Sequence, residues 1–296
     1  MIFKLILFHD EWRDLPMVFT QPIIYKSIIG LKEIQDVVCF QEDIWDKDVV
    51  TPLPQLVAAT HNGGNIVGAF KEGELIGFSY GFSGFKNGKK YLISHMTGVH
   101  SKYRNYGIGL QLKLKQREWA VDYGYQKIVW TFDPLEAKNA YFNLNKLGAY
   151  SQTYFPSYYG EMSDKLNKGL PSDRFLVEWD ICSNRVTNAL LGVVKKDTLV
   201  NHYKSLLSYS DNGNIPYPDE IESIKNEEGY LIPVPANFQI LKQEDFEAAK
   251  AWRYKLRDAV NDAFSKGFVV TGMLKKNLAN IHFYVIENKS MEPLYD

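Results

Sequence analysis

Cysteine is scarce in this chain of 296 residues: only Cys39 and Cys182 are present, at no metal-ligand spacing. A disulfide scaffold and a structural zinc site are therefore not expected, and the two read as buried thiols of a reducing compartment, which points to the cytoplasm. An excess of charge of one sign is also missing. Lys and Arg number 34 against 35 Asp and Glu, for a formal net charge of -1. Such a balance gives no broad attraction to nucleic acid or an anionic membrane. No apolar run approaches the ~20 residues needed to cross a bilayer. The opening MIFKLILFHDEW has an apolar patch shorter than a secretory core, and it runs into charges. Met17 is an alternative start, and no function is placed on residues 1–16.

Aromatic residues are plentiful, at 14% of the chain. Their periodicity, with that of the aliphatics, lays out the elements. IIYKSII (23–29) reads as a strand. Leu31 to Trp45 reads as an amphipathic helix, with Leu31, Ile34, Val38 and Trp45 at helical spacing. A short helix follows near 56–60. NIVGAF and ELIGFSYGF form a hairpin, and Asn87-Gly88 turns the chain into YLISHMTGV (91–99). A helix runs from about Gly107 to Tyr123 with Gly124 as its left-handed cap. KIVWTF (127–132) is a buried strand. A helix of about ten residues ends at Gly148, and strands follow near 149–155 and 174–181. Helices interrupting a mostly antiparallel sheet predict α+β packing.

The junction VHSKYRNYGIG places Arg104, Gly107 and Gly109 at the mouth of a helix. The first helical N–H groups have no intrahelical partner and the macrodipole is positive there. Glycine admits an anion closely, and an arginine adds forked donors. The unit is thus a candidate phosphate cradle. Leu110 and Gln111 stand where a P-loop needs Lys and Ser or Thr, and Leu112 stands where a dinucleotide fingerprint needs glycine. On the glycines alone, a strand-to-helix turn explains the pattern as well.

In combined order the residues resemble the GNAT superfamily of N-acetyltransferases, in a long bacterial branch. Arg104, Gly107 and Gly109 match its signature of Arg or Gln, two residues, Gly, one residue, Gly or Ala. Val99 fits five residues earlier, and KLGAY (146–150) is close to the Lys-x-Gly-aromatic that ends a later helix. The likeness covers roughly residues 23–182. It implies a GNAT-like mixed sheet flanked by helices, with acetyl-CoA as co-substrate and no metal. By resemblance, Arg104, Asn105, Tyr106, Gly107, Ile108 and Gly109 would hold the pyrophosphate. Met96, Thr97 and Val99 would pair with the pantetheine arm, and an amide near Thr97 to Val99 would steady the oxyanion. A splay between that strand and KIVWTF would admit the thioester, and Asn139 and Asn143 would reach the pantetheine amides.

An attacking ammonium must lose a proton and the leaving thiolate must gain one. His95 is the candidate base, on the same strand face as Thr97 and Val99 if alternation holds; a core histidine is the competing reading. Glu42 and Asp133 are weaker candidates, Asp133 also fitting a turn cap. The family's usual acid tyrosine falls at Leu144, so Tyr141 is the substitute. Tyr154, Tyr158, Tyr159 or a water are further options. Trp45, Tyr159 and Arg174 are expected at the acceptor pocket, Arg174 either on a substrate carboxylate or in a salt bridge.

The expected organisation is an extension at 1–22, the acetyltransferase domain at 23–182, and a C-terminal α/β extension or small second domain at 183–296. In the last, NRVTNALLGVVKKDTLVNHYKSLL reads as one or two helices and SDNGNIPYPDE as a linker. EDFEAAKAWRYKLRDAVNDAFSKG reads as a helix whose Arg253 and Arg257 cover a solvated face. A homodimer contact is one role open to it. The functional expectation is acetyl transfer to a small primary amine. A non-catalytic acyl-CoA sensor and a protein or peptide acetyltransferase are the alternatives.

Overall fold

Strands are built where apolar and β-branched residues alternate between turns, and here eleven of the thirteen described strands join one continuous sheet. The computed structural model describes residues 22–45, 49–160, 169–193, 202–212, 215–225, 227–276, 280–289 and 291. The expectations for residues 1–16 and for 194–201 lie outside these. The strands are β1 (Ile24–Ser27), β2 (Asn65–Lys71), β3 (Glu74–Lys86), β4 (Lys89–Val99), β5 (Lys127–Phe132), β6 (Tyr150–Phe155) and β7 (Arg174–Asp180). They continue with β8 (Lys204–Ser205), β9 (Leu207–Asn212), β10 (Ile215–Ile221), β11 (Gly229–Pro235), β12 (Phe268–Leu274) and β13 (Ile281–Asn288). The main sheet runs β1-β2-β3-β4-β5-β7-β6-β12-β13-β11-β8, and β9 and β10 pair separately. Most neighbours are antiparallel; β4 with β5 and β11 with β8 are parallel.

The helices are α1 (Leu31–Ile44), α2 (Leu53–His61), α3 (Ile108–Tyr123), α4 (Ala137–Tyr141), α5 (Asn184–Leu190), α6 (Phe238–Glu244) and α7 (Phe246–Ser265). One layer packs Ile34, Val37 and Phe40 of α1 and Leu56 of α2 on Phe78 and Tyr80 of β3. The opposite layer packs Ile108 and Leu112 of α3 on Val67, Ala69 and Ile76. A larger core joins Trp130, Phe175 and Trp179 to Trp252, Leu256 and Val260 of α7. Leu31, placed in the buried stripe of α1 by its spacing, is 64% exposed because the stripe runs through Ile34, Val37, Phe40 and Gln41 instead.

Several expectations for the C-terminal third are corrected. SDNGNIPYPDE is no linker: β9 and β10 pair across it, with Pro218 opposite Tyr209 and Pro216 opposite Asp211. A two-stranded ribbon has free edges, and prolines are tolerated there. Arg253 and Arg257 face inward. Arg253 holds Asp133 with both terminal nitrogens, at 2.8 and 2.5 Å, and Arg257 holds Asp173 at 2.9 and 2.7 Å. Asn145 exchanges two hydrogen bonds with the backbone of Met273, and Ser151 pairs with Val270. These contacts tie the segment after residue 183 to the preceding sheet. Both cysteines are exposed, against expectation. Cys39 lies on the outer side of α1, and Cys182 follows β7 in a turn.

Candidate active site

β4 and β5 begin as a parallel pair and then separate. Their register consists of Leu92 with Ile128 and Ile93 with Val129. β4 stays on β3 to Val99, and β5 stays on β7 to Phe132. A bulge explains the parting. Tyr80 pairs with Met96 and Gly81 with Ser94, which leaves His95 as the extra residue. A bulge bends its strand and adds twist, so β4 leaves β5 just where the bulge falls. Beyond it, the β5-facing edge of β4 has no strand partner among the described residues, and the fork opens toward the end of β4.

The open end of the fork meets the helix mouth. A single-turn 3-10 segment, Ser101–Tyr103, follows β4. Asn105 and Gly107 then take left-handed backbones, at φ +68° and +76°. Gly107 caps α3, and the first bond of the helix runs from Gln111 N–H to Gly107 C=O at 3.1 Å. The amides of Ile108, Gly109 and Leu110 therefore point out of the helix end. A Cβ placed on Gly107 or Gly109 would meet no atom within 4 Å. The cradle is open space. Arg104 is exposed, and its Nε donates to Val99 C=O at 3.4 Å, which folds the side chain back along β4.

The bulge also reassigns His95. Alternation predicted one face for His95, Thr97 and Val99, and the extra residue breaks it. Val99 packs with Ile108 and Leu112 on the α3 face, and Thr97 lies 2.9 Å from Ser79 through their hydroxyls. His95 stands on the opposite face, its ring 6.1 Å from Tyr80 and 5.6 Å from Phe82. His95 is exposed at this face, and the partial shielding of its ring by Tyr80 and Phe82 lowers its pKa below the usual 6.5, which favours the neutral imidazole near pH 7. Met96 shares that face and accepts a hydrogen bond from Thr51 at 3.1 Å. Gln41 fixes Thr51 through its backbone amide at 2.9 Å. Trp45 packs edge-on against Phe78 at 5.8 Å. The expected acceptor region before α2 and His95 thus lie on one side of the sheet. Tyr80 is fully buried, its hydroxyl has no partner among the described residues, and burial pushes its pKa up to about 12.

Across the fork, Tyr159 lies 3.3 Å from Thr131 of β5, hydroxyl to hydroxyl. Arg174 is buried, 3.7 Å from the Asp133 carboxylate and over the Tyr159 ring at 5.4 Å. It is engaged in the salt-bridge manner rather than presented for a substrate carboxylate. Asp133 is likewise committed, to Arg253 and to the Leu135 amide at 2.9 Å, which is the cap role. Glu42 is exposed on α1, away from the α1 stripe that faces the sheet.

The helix after β5 splits into α4 and a π turn, Phe142–Lys146, closed by Leu147 N–H to Phe142 C=O at 3.0 Å. Leu144 is 2% exposed, so this position carries buried hydrocarbon. Tyr141 is half-buried beneath the Lys275 ammonium, 3.8 Å above its ring. Asn143 is buried and Asn139 exposed, so the two do not present one surface.

One group at the fork escaped the sequence reading. Lys113 of α3 is 5% exposed, and its Nζ donates to Ser94 at 2.6 Å and lies 3.9 Å above the Trp130 ring. Ser94 in turn donates to Gln116 at 2.6 Å, and Gln116 donates to Asn65 at 3.4 Å. No carboxylate among the described residues pairs with Lys113, and burial pulls its pKa down to about 7. The signal was present in the helical wheel: Lys113 falls in the stripe drawn through Ile108, Leu112 and Ala120.

A family model described as the acetyltransferase (GNAT) family matches residues 32–148. That span contains α1, the β2–β4 meander, the cradle, the fork and the π turn. Among solved structures, the ribosomal-protein-S18-alanine N-acetyltransferase of Escherichia coli aligns at 12% identity. The alignment covers 55% of this chain and 96% of that one, at TM-score 0.44. Arabidopsis thaliana Naa50, in complex with the bisubstrate analogue CoA-Ac-MVNAL, aligns at 15% identity over 53% and 97%, at TM-score 0.42. An N-acetyltransferase from Staphylococcus aureus Mu50 aligns at 15% identity over 54% and 99%, at TM-score 0.43. No curated protein matches by sequence.

Proposed function

We propose that this chain, whose residues 32–148 match the acetyltransferase (GNAT) family, moves an acetyl group from acetyl-CoA to the primary amine of a small molecule by direct attack on the thioester. The observation that carries this reading is the fork between β4 and β5, closed at Ile93 and Val129 and opening onto a helix mouth where Gly107 and Gly109 leave open space at their Cα atoms. The amides from Asn105 to Gly109, with Arg104, suit a pyrophosphate. The free edge of β4 from Met96 to Val99 suits the amides of a pantetheine arm, and one of its N–H groups suits the developing oxyanion.

His95, neutral near pH 7, takes the amine proton in this reading. It lies on the face shared with Thr51 and Met96, so the acceptor enters there, with Trp45 and Tyr159 as apolar walls. Asn139, Asn143 and Tyr141 keep only a peripheral place. Arg174 positions Tyr159 and leaves the acceptor's charge unread. The segment after residue 183 adds its strands beyond β6 and acts as a buttress, which favours a small acceptor over an extended peptide.

Thermal melting with acetyl-CoA, against ATP and NAD as controls, tests the ligand. At ~100 times its dissociation constant a ligand stabilises the fold by roughly 2.7 kcal/mol. A shift specific to acetyl-CoA supports the cradle, and its absence removes the reading. The buried Leu144 favours a second reading, a non-catalytic acyl-CoA sensor. Release of free CoA on addition of amines separates the two.

A further inference from the structure

Lys113 sits at the closed end of the fork. Ser94 and Trp130 are the residues that directly follow the last β4–β5 pairs, Ile93 and Val129. The Lys113 Nζ reaches both, at 2.6 Å from the Ser94 hydroxyl and 3.9 Å from the Trp130 ring centre. The phosphate cradle lies at the other end, past Val99. Five residues of extended strand separate Ser94 from Val99, about 17 Å at ~3.3 Å per residue. An arm anchored at the cradle and laid along β4 therefore delivers its far end, the thioester, to the Lys113 amine.

We propose that Lys113 is a site of self-acetylation, taking the acetyl group of an acetyl-CoA bound in the fork; this rests on the acetyl-CoA reading of that same cleft. The lone pair of the neutral amine attacks the thioester carbonyl carbon. The N–C bond forms and the C–S bond breaks, with the electron pair leaving on sulfur. The surplus proton of the nitrogen passes to the thiolate, giving Nζ-acetyl-lysine and free CoA thiol. No other reactant is needed. Three features favour the step. Burial without a counter-charge keeps the amine in its nucleophilic form. The fork holds amine and thioester together, so the reaction is effectively unimolecular. The amide product cannot take up a proton, so it forecloses the ammonium that the lysine would otherwise become in acid, where no carboxylate among the described residues pairs with it. An amide does not hand its acetyl group on, so the product is a modified protein and not an intermediate of transfer.

The test incubates the full chain with acetyl-CoA, digests it and locates acetyl groups by peptide mass spectrometry. Melting is recorded on the same samples. The urea-unfolded chain gives the background reactivity of each lysine. The expected result is acetylation of Lys113 in the folded chain at least about tenfold faster than in the unfolded one. Free CoA should suppress it, and it should be absent from Lys113→Arg at unchanged reactivity of the surface lysines. Lys113 unmodified in a sample whose melting shifts with acetyl-CoA overturns the proposal and spares the binding reading. No melting shift removes the binding reading, and the proposal with it. Acetylation of Lys113 at equal rates in folded and unfolded chains also overturns it, since proximity would then contribute nothing.

Discussion

Replacing Lys113 by Met should stabilise the fold near neutral pH and lose that advantage in alkali. The lysine falls from its ordinary 10.5 to about 7 in the folded chain through burial. At about 1.4 kcal/mol for each tenfold step, the full cost of keeping the ammonium inside is roughly 5 kcal/mol. The sign follows from proton counting. Between the folded and unfolded values the unfolded chain binds the extra proton, so stability rises with pH across that window. Below about pH 7 both states are protonated and the cost is constant. The lysine should thus weaken the fold by about 4 kcal/mol at pH 7 and by about 1 kcal/mol at pH 10. Methionine keeps a long flexible side chain in the same volume. It forfeits the hydrogen bond to Ser94, worth about 1 kcal/mol at every pH. The variant should therefore be about 3 kcal/mol more stable than the parent at pH 7 and about equal at pH 10.

Urea titration at several pH values, followed by both fluorescence and circular dichroism, measures the difference, with equal slopes confirming that the folded states are alike. Other titrating groups are common to both chains and cancel. A difference that stays flat from pH 7 to pH 10, or a variant weaker throughout, would show that Lys113 is compensated, and would refute the account of the fork given above.

Gly109→Asp tests the cradle with little strain, since Gly109 has an ordinary helical backbone and open space around its Cβ. An acid in the first turn favours the helix, so the chain should melt no lower while acetyl-CoA no longer shifts its melting. His95→Ala should lower turnover about 100-fold or more with acetyl-CoA affinity unchanged. In the parent, the rate should fall as the pH drops below 6.5, because protonation removes the base, and the variant should lack that acid limb. Arg253→Met leaves the Asp133 carboxylate without its bidentate partner and should cost about 3–5 kcal/mol in urea unfolding. The double variant with Asp133→Leu should recover much of that, and a silent single variant would make the pair structurally idle.

What the sequence disclosed was local. The Gly107 and Gly124 caps, the Asn87-Gly88 turn and the order of elements up to β7 depend on residues a few places apart, and they stand where spacing put them. What it withheld depends on partners far along the chain. The bulge at His95 exists only in the register of β4 against β3, so strict alternation put the histidine on the wrong face. Arg253 and Arg257 looked solvated because their carboxylates lie 120 and 84 residues away. Pro216 and Pro218 looked like a linker because their strand, among the described residues, pairs with β9 alone. A charge in an apolar helical stripe is the common sign of these hidden partners, and it cuts two ways. In α7 the stripe charges find acids, and Lys127 of β5 finds Glu178 at 2.5 Å. Arg185, also largely buried, is held by backbone carbonyls of Gly148, Ala149 and Thr271. Lys113 breaks the same rule of patterning, yet among the described residues it meets only a hydroxyl and an indole face. A buried charge that the fold does not answer is costly. Its position at the closed end of the cleft is therefore better explained by what enters the cleft than by what holds the sheet together.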